Sequence, residues 1–409
     1  MISKTNNWLK KLGPGLLFAG AAIGVSHLVQ STRAGADFGF GLIWALVLIH
    51  IVKYPFFQFG PRYATATGES LLDGYKKLGK GVLIAYFIIN LVTIFSIQAA
   101  VTIVTAGLAT NLSGITTNPV IWSIIITVIS FLLLIIGKYK LLDNLMKFLI
   151  VTLTISTLIA VIIANFKTNT NVNFNQILPK GSIEVGFLIA FLGWMPAPLD
   201  VSIWQSLWAI EKHKDKTIKF NTKQAIFDFN IGYAGTLLLG FCFVALGALI
   251  MFNSGESFSN NSVKFSQQLI NLYTKNLGSG LSIFITAAAF TTMFSTTLTT
   301  LDASPRAMTK TFDLLTNKSY KNMYWFWISF LAIGTIAILL FFMSEMGVLI
   351  KIATILSFLT APFFAIINYL LVTGKNMPKE WRPSTQLKVL SWFGIIFLIA
   401  FSIWYLFSL

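Results

Sequence analysis

Apolar runs of about twenty residues or more recur along this chain between short polar breaks, and they constrain its fold more than any motif. A helix of ~20 residues crosses the hydrocarbon of a bilayer, where every backbone N–H and C=O must find its partner inside the protein. Runs near 13–34, 38–60, 81–111, 117–137, 145–165, 183–210, 225–252, 281–304, 323–343, 346–372 and 387–408 predict eleven transmembrane helices. The composition agrees. With 56% hydrophobic residues, 11% charged residues and 37 Phe, there is too little polar surface to cover a soluble core. The expected fold class is an all-α polytopic membrane protein with one transmembrane domain over 1–409.

The basic residues set the expected orientation. Alternate segments hold nearly all of them, among them Lys10, Lys11, Arg62, Lys76, Lys77, Lys80, Lys138, Lys140, Lys147, Lys212, Lys214, Lys216, Lys219, Lys223, Arg306, Lys310, Lys375 and Arg382. The intervening loops hold only Lys167, Lys180, Lys264 and Lys275. By the positive-inside rule the N-terminus is cytoplasmic and the C-terminus outside, in a plasma or bacterial inner membrane. The net charge of +16 therefore reads as topology rather than nucleic-acid binding. Lys10 and Lys11 precede an AGAA-containing apolar run, but that run continues well past any cleavage site, so a retained first helix is expected. The lone cysteine, Cys242, excludes an internal disulfide. In the outer segment 253–280, Val263, Leu269, Ile270 and Leu272 fit a short helix on the membrane surface.

Two spans carry breaks. The sixth reads GWMPAPLDVSIW at Gly193–Trp204, and its prolines cannot donate to a helical ladder. The first contains Ala21-Ala22-Ile23-Gly24-Val25-Ser26-His27, rich in small residues. Spans 1 and 6 correspond if helices 1–5 (about 13–165) and 6–10 (about 183–372) are two repeats, with an extra helix at about 387–408. The halves are then inverted, because one begins inside and the other outside. Paired discontinuous helices in inverted five-helix repeats point to a transporter's binding site, where freed carbonyls and helix ends hold an ion or polar solute.

GPGLLFAGAAIG followed by STRAGADFGFGLIW resembles the first helix and AGA-containing connection of the Nramp family of metal-ion transporters. PRYATATGESLLDGY is similar to the segment after that family's second helix, and Met195-Pro196 matches the start of its MPH motif on helix six. The resemblance implies a leucine-transporter-like fold, a divalent cargo such as manganese, and a substrate site at Gly24, Ser26, His27, Met195 and Ala197. Departures stand beside the matches. The family's DPGN falls on Gly24-Val25-Ser26-His27, so Gly24 replaces the aspartate and His27 the asparagine, while Ala197 replaces the MPH histidine. This marks a divergent branch with a remodelled site.

The remaining ligand types are few. Imidazole suits transition metals and methionine offers a thioether, so His27 and Met195, with Asp200 as replacement carboxylate, form the expected metal set. The alternative for His27 is a neutral core histidine, and for Asp200 a proton acceptor or ion-pair partner in the cytoplasmic vestibule. Thr292, Ser295, Thr296, Thr299 and Thr300 share a face of span 8, followed by Asp302 and Arg306 at i and i+4. That face either packs helices and ends in an ion pair, or lines the route with Asp302 titrating. His27, Asp200 and Asp302 are the candidates for proton or ion coupling. Arg33 is expected to pair with Asp37, Lys53 to snorkel, and Lys351 to pair with Glu345 or, alternatively, to replace a bound cation. Gln98 and Asn230 are polar residues in apolar surroundings.

No GxxxxGK[ST] or HExxH stretch appears, so neither ATP-driven pumping nor enzyme chemistry is expected, and no resident cofactor. The leading expectation is a secondary transporter moving a small cation, foremost a divalent metal ion, by alternating access, with protons as candidate co-substrate. The same fold carrying an amino acid or small organic cation is the alternative. A sensor or scaffold without flux is the third.

Overall fold

The computed structural model describes residues 13–408 apart from 114–115, 137–150, 152–153, 167–172, 215–220, 253–256, 278–281 and 343–344. Span 1 is a bent pair, α1 (Pro14–Ala22) and α2 (Ser26–Phe38), meeting at 46°. There follow α3 (Ile43–Thr67), α4 (Leu71–Leu78), α5 (Lys80–Ser113) and α6 (Pro119–Ile136). Next come α7 (Thr154–Phe166), α8 (Ser182–Trp194), α9 (Val201–Lys214), α10 (Thr222–Ile250) and α11 (Ser262–Leu277). The last four are α12 (Ser282–Thr316), α13 (Met323–Phe341), α14 (Met346–Thr373) and α15 (Thr385–Ser408). No strand occurs among the described residues.

Six described helices are long and apolar enough to cross a membrane, and the bent pair makes a seventh. With the shorter α6 and α7, the broken α8–α9 and the threonine-rich α12, helical segments stand at all eleven expected places, in order. The protein is a multi-pass membrane protein. The start of the fifth expected helix and Lys10, Lys11, Lys138, Lys140, Lys147, Lys167, Lys216 and Lys219 lie outside the described residues.

Local chemistry explains where boundaries moved. α3 runs on from the expected 60 to Thr67, where Gly68 ends it at φ 73°, a left-handed cap. α12 continues through Pro305 to Thr316, and the Asp302–Arg306 pair spans the proline across one turn. α4 lies in what was expected to be a connection. Ser70 and Asp73 start it with a reciprocal capping box, and the short helix is strongly amphipathic. α11 packs against α5, with Leu269, Ile270 and Leu272 buried, so it caps the bundle.

The packing follows the internal repeat in part, since α1 lies along α10 whereas its counterpart α8 packs mainly on α14 and little on α3. Exchanging span n with span n+5 turns the α2–α10 contact into the α9–α3 contact, and returns α3–α10 and α5–α12 to themselves. Helix 1 approaches α10 at backbone distance. A Cβ at Gly15 would strike the Asp228 carbonyl and one at Gly232 the Gly15 carbonyl; Gly35 and Gly247 face Val244 and Thr32 in the same way.

Candidate functional site

The two breaks lie side by side at the centre of the bundle. Helical bonding stops at Ile23–Val25 in span 1 and between Trp194 and Val201 in span 6, where Met195–Pro196 is a cis peptide. Ser26 joins them. Its Oγ lies 3.2 Å from the Pro196 carbonyl and also bonds the Ala22 carbonyl of its own turn. Between the breaks is a small, half-open space of about 30 Å³, bordered by Ser26, Trp194, Ala197, Trp204, Thr296 and Thr300 among others. One water needs ~10–15 Å³, so this volume matches a dehydrated ion or about two waters.

The expected residues divide into those that meet here and those that do not. Ser26 and Ala197 border the space; Gly24 stands beside it, its missing Cβ facing Thr296 Oγ1 at 2.7 Å. His27 turns away toward α10. Its Nε2 is 2.9 Å from the Thr236 carbonyl, and its Nδ1 is 2.7 Å from Ser26 Oγ and 3.0 Å from the Ala22 carbonyl. Nε2 faces a carbonyl and so donates, which leaves Nδ1 to carry the single lone pair of the neutral ring, and Ser26 Oγ stands against it, so no lone pair is open to an ion. Met195 is buried with its sulfur 3.9 Å from Ser31 Oγ, on the α2 side. Asp200 is buried one turn beyond, and its Oδ1 has no hydrogen-bond partner. Among the described residues, no group of three His, Cys, Asp or Glu is placed to share a metal ion.

Asp302 sits in a different environment. It accepts from Arg306 at 2.7 Å and from the Tyr324 hydroxyl at 2.6 Å, next to a wider opening of about 420 Å³ bordered by Asp73, Glu211, Arg306, Lys310 and Tyr324. The ion-pair expectation for Asp302 and Arg306 is therefore met. Three other pairings differ. Arg33 reaches the Ser259 carbonyl at 2.6 Å and Asn260 at 3.3 Å instead of bonding Asp37. Lys351 is exposed and lies beside Gly186, with no ion pair to Glu345 among the described residues. Lys53 does not snorkel but points into the second break. Gln98 spans to the Thr297 carbonyl of α12, and Asn230 accepts from the Tyr54 hydroxyl.

Sequence reasoning misses Asp228, whose carboxylate accepts the Gly13 and Gly15 amides at the start of α1. It lies more than 200 residues away from them, so no local pattern signals it.

Residues 15–408 match the family model described as Natural resistance-associated macrophage protein-like. The chain belongs to the Nramp family. An uncharacterized protein of Pasteurella multocida (strain Pm70) is 35% identical over 401 residues, covering 96% of this chain and 90% of its own. The divalent metal cation transporter MntH of Staphylococcus aureus (strain MRSA252) is 28% identical over 265 residues, 62% of this chain and 58% of that protein. The Eremococcus coleocola manganese transporter, in complex with an aromatic bis-isothiourea substituted compound, superposes with a TM-score of 0.75 at 14% identity, covering 98% of this chain and 87% of that one. Mhp1, a nucleobase-cation-symport-1 family transporter in a closed conformation with bromovinylhydantoin bound, superposes at 0.61 and 13% identity, covering 99% and 96%. These superpositions establish the leucine-transporter-like fold expected of an Nramp chain. Within this Nramp chain, a Cβ at Gly24 would meet Thr296 Oγ1 at 2.7 Å, so Thr296 must shift before any side chain fits there.

Proposed function

We propose that this Nramp protein is a secondary transporter that moves a small cation, foremost a divalent metal ion, by alternating access around its paired breaks. The carrying observation is the 30 Å³ space between the breaks, which has the size of a small ion. The divalent assignment leans on the S. aureus and E. coleocola relatives. In this reading Ser26 Oγ, the Pro196 carbonyl and the Thr296 and Thr300 hydroxyls surround the cargo, and Met195 and Asp200 flank it. His27 anchors span 1 to α10 through its engaged nitrogens and is not a ligand. For proton coupling Asp200, with its unpartnered oxygen, is the better candidate, since Asp302 is held by Arg306 and Tyr324. The N-terminus is cytoplasmic and the C-terminus outside.

One observation favours the second reading, a small polar or organic solute: the space is edged by hydroxyls and aromatic rings, and no carboxylate borders it. A bare divalent ion without a formal negative charge beside it loses much of its hold. Uptake by the full chain in liposomes separates the two. Saturable manganese uptake, reduced about tenfold by Ser26→Val, supports the first, tenfold corresponding to ~1.4 kcal/mol. Folded protein that moves no divalent ion, yet is thermally stabilised by an organic solute, transfers the assignment to the second.

A further inference from the structure

Lys53 lies in the apolar stretch IHIVKYPFF of α3 and is fully buried. Its Nζ donates to the carbonyls of Leu192 at 2.9 Å, Gly193 at 2.7 Å and Ala197 at 3.1 Å. The first two belong to the last turn of α8, the third to the break itself. These carbonyls lack helical partners for a reason legible in the residues. The amide that would close the helical bond to Leu192 belongs to position 196, a proline, and the chain leaves the helical path before Ala197 can reach Gly193. The carbonyl end of a helix also carries about half a negative charge.

An ammonium has three N–H donors and no lone pair, so three converging carbonyls satisfy it one for one. A neutral amine has two donors and would turn its lone pair on the third carbonyl. Freed carbonyls at a broken membrane helix are the kind of cage in which transporters hold a free cation.

We propose that the Lys53 ammonium is a tethered ion: it permanently fills the carbonyl cage at the break of span 6, so this break takes no monovalent cation from solution. The assignment goes beyond the proposed function and is independent of the cargo, because it concerns the far face of the break and not the space between the two breaks. Lys53 is a positioning residue that fixes the path of residues 192–197. Its removal must create a vacancy with the chemistry of a small ammonium ion.

Thermal unfolding of the purified full chain in chloride salts of equal ionic strength tests this. Wild type is expected to melt at the same temperature in choline, sodium, potassium and methylammonium. Lys53→Ala is expected to melt at least ~5 °C lower in choline and to recover saturably in methylammonium. Lys53→Met fills the stem's space without the charge; it is expected to melt lower and to be rescued by none of the salts. Any of these results overturns the proposal: Lys53→Met as stable as wild type, Lys53→Ala responding to choline and methylammonium alike, or wild type saturably stabilised by one of the small cations. If Lys53→Ala is not recovered in choline, solubilisation in methylammonium decides the matter. Recovery there supports the tethered ion, and failure in both salts overturns it.

Discussion

Asp228 Oδ2 accepts the Gly15 amide at 2.7 Å while Oδ1 accepts that of Gly13 at 3.0 Å, so one carboxylate of α10 closes the amino end of α1. Hydrogen bonds to a buried charge at a helix start are the strong kind. Asp228→Asn, which keeps the shape and one acceptor, is expected to cost about 2 kcal/mol, and Asp228→Ala more. Thermal unfolding in detergent measures both; an unchanged melting temperature for Asn would show that the charge is dispensable.

Restoring an aspartate at position 24 by itself is expected to fail. A Cβ there meets Thr296 Oγ1 at 2.7 Å and Cγ2 at 2.8 Å, so Gly24→Asp should destabilise by ~1–3 kcal/mol through overpacking and gain no manganese binding. Adding Thr296→Ala removes both obstructing atoms. The double variant is expected to regain stability and to show manganese-dependent heat by calorimetry, which the single variant lacks. Equal binding by both would mean that Thr296 is not the obstacle.

His27→Ala removes the hydrogen bond that ties span 1 to the Thr236 carbonyl of α10 and should cost about 1–3 kcal/mol. Since both ring nitrogens are already engaged, the loss is expected to be the same with and without manganese. A loss seen only when manganese is present would restore His27 to the ligand set.

Asp73, in the segment joining α3 and α5, gives a pH signature. Burial pushes its carboxyl up, but the bonds from Lys310 at 2.8 Å and from the Ser70 hydroxyl at 2.6 Å outweigh this and hold it below its ordinary value. A carboxyl with a depressed folded-state value contributes stability above its unfolded value, near pH ~3.9, and loses it as pH falls through the folded value. Asp73→Asn is therefore expected to melt below wild type at neutral pH by ~1 kcal/mol or less, given the partial exposure of the pair, and the gap should close below about pH 4. A gap constant down to pH 3 would rule out the charge as its source.

The spans were readable because hydrophobic length reports depth in a bilayer, and Pro196 and Pro198 announce a break without help from the fold. Depth says nothing about which way a side chain faces. Lys53 sits in the apolar run of α3, where the sequence alone favours a stem reaching for the interface; only the neighbouring position of α8 shows that carbonyls await it. Arg33 illustrates the same limit. Its partner four residues on is visible in sequence, whereas Ser259 and Asn260, which it bonds, are over 200 residues away. α4 was within reach, since Ser70 and Asp73 have capping-box spacing. At the candidate site, the paired breaks were legible, but the orientation of His27 depends on α10 and the fullness of position 24 on α12.

The two breaks differ in what their halves rest on. α1 and α2 both lie on α10, held at backbone distance by Gly15 with Gly232 on one side and Gly35 with Gly247 on the other. α8 and α9 rest on different neighbours, α14 and α3. A rotation at the first break must therefore drag α10 with it or prise apart glycine contacts on both sides. The second break has no such shared support, and the side chains of Lys53, from α3 to α8, and Asn368, from α14 to α9, do there what bare backbone contact does for span 1.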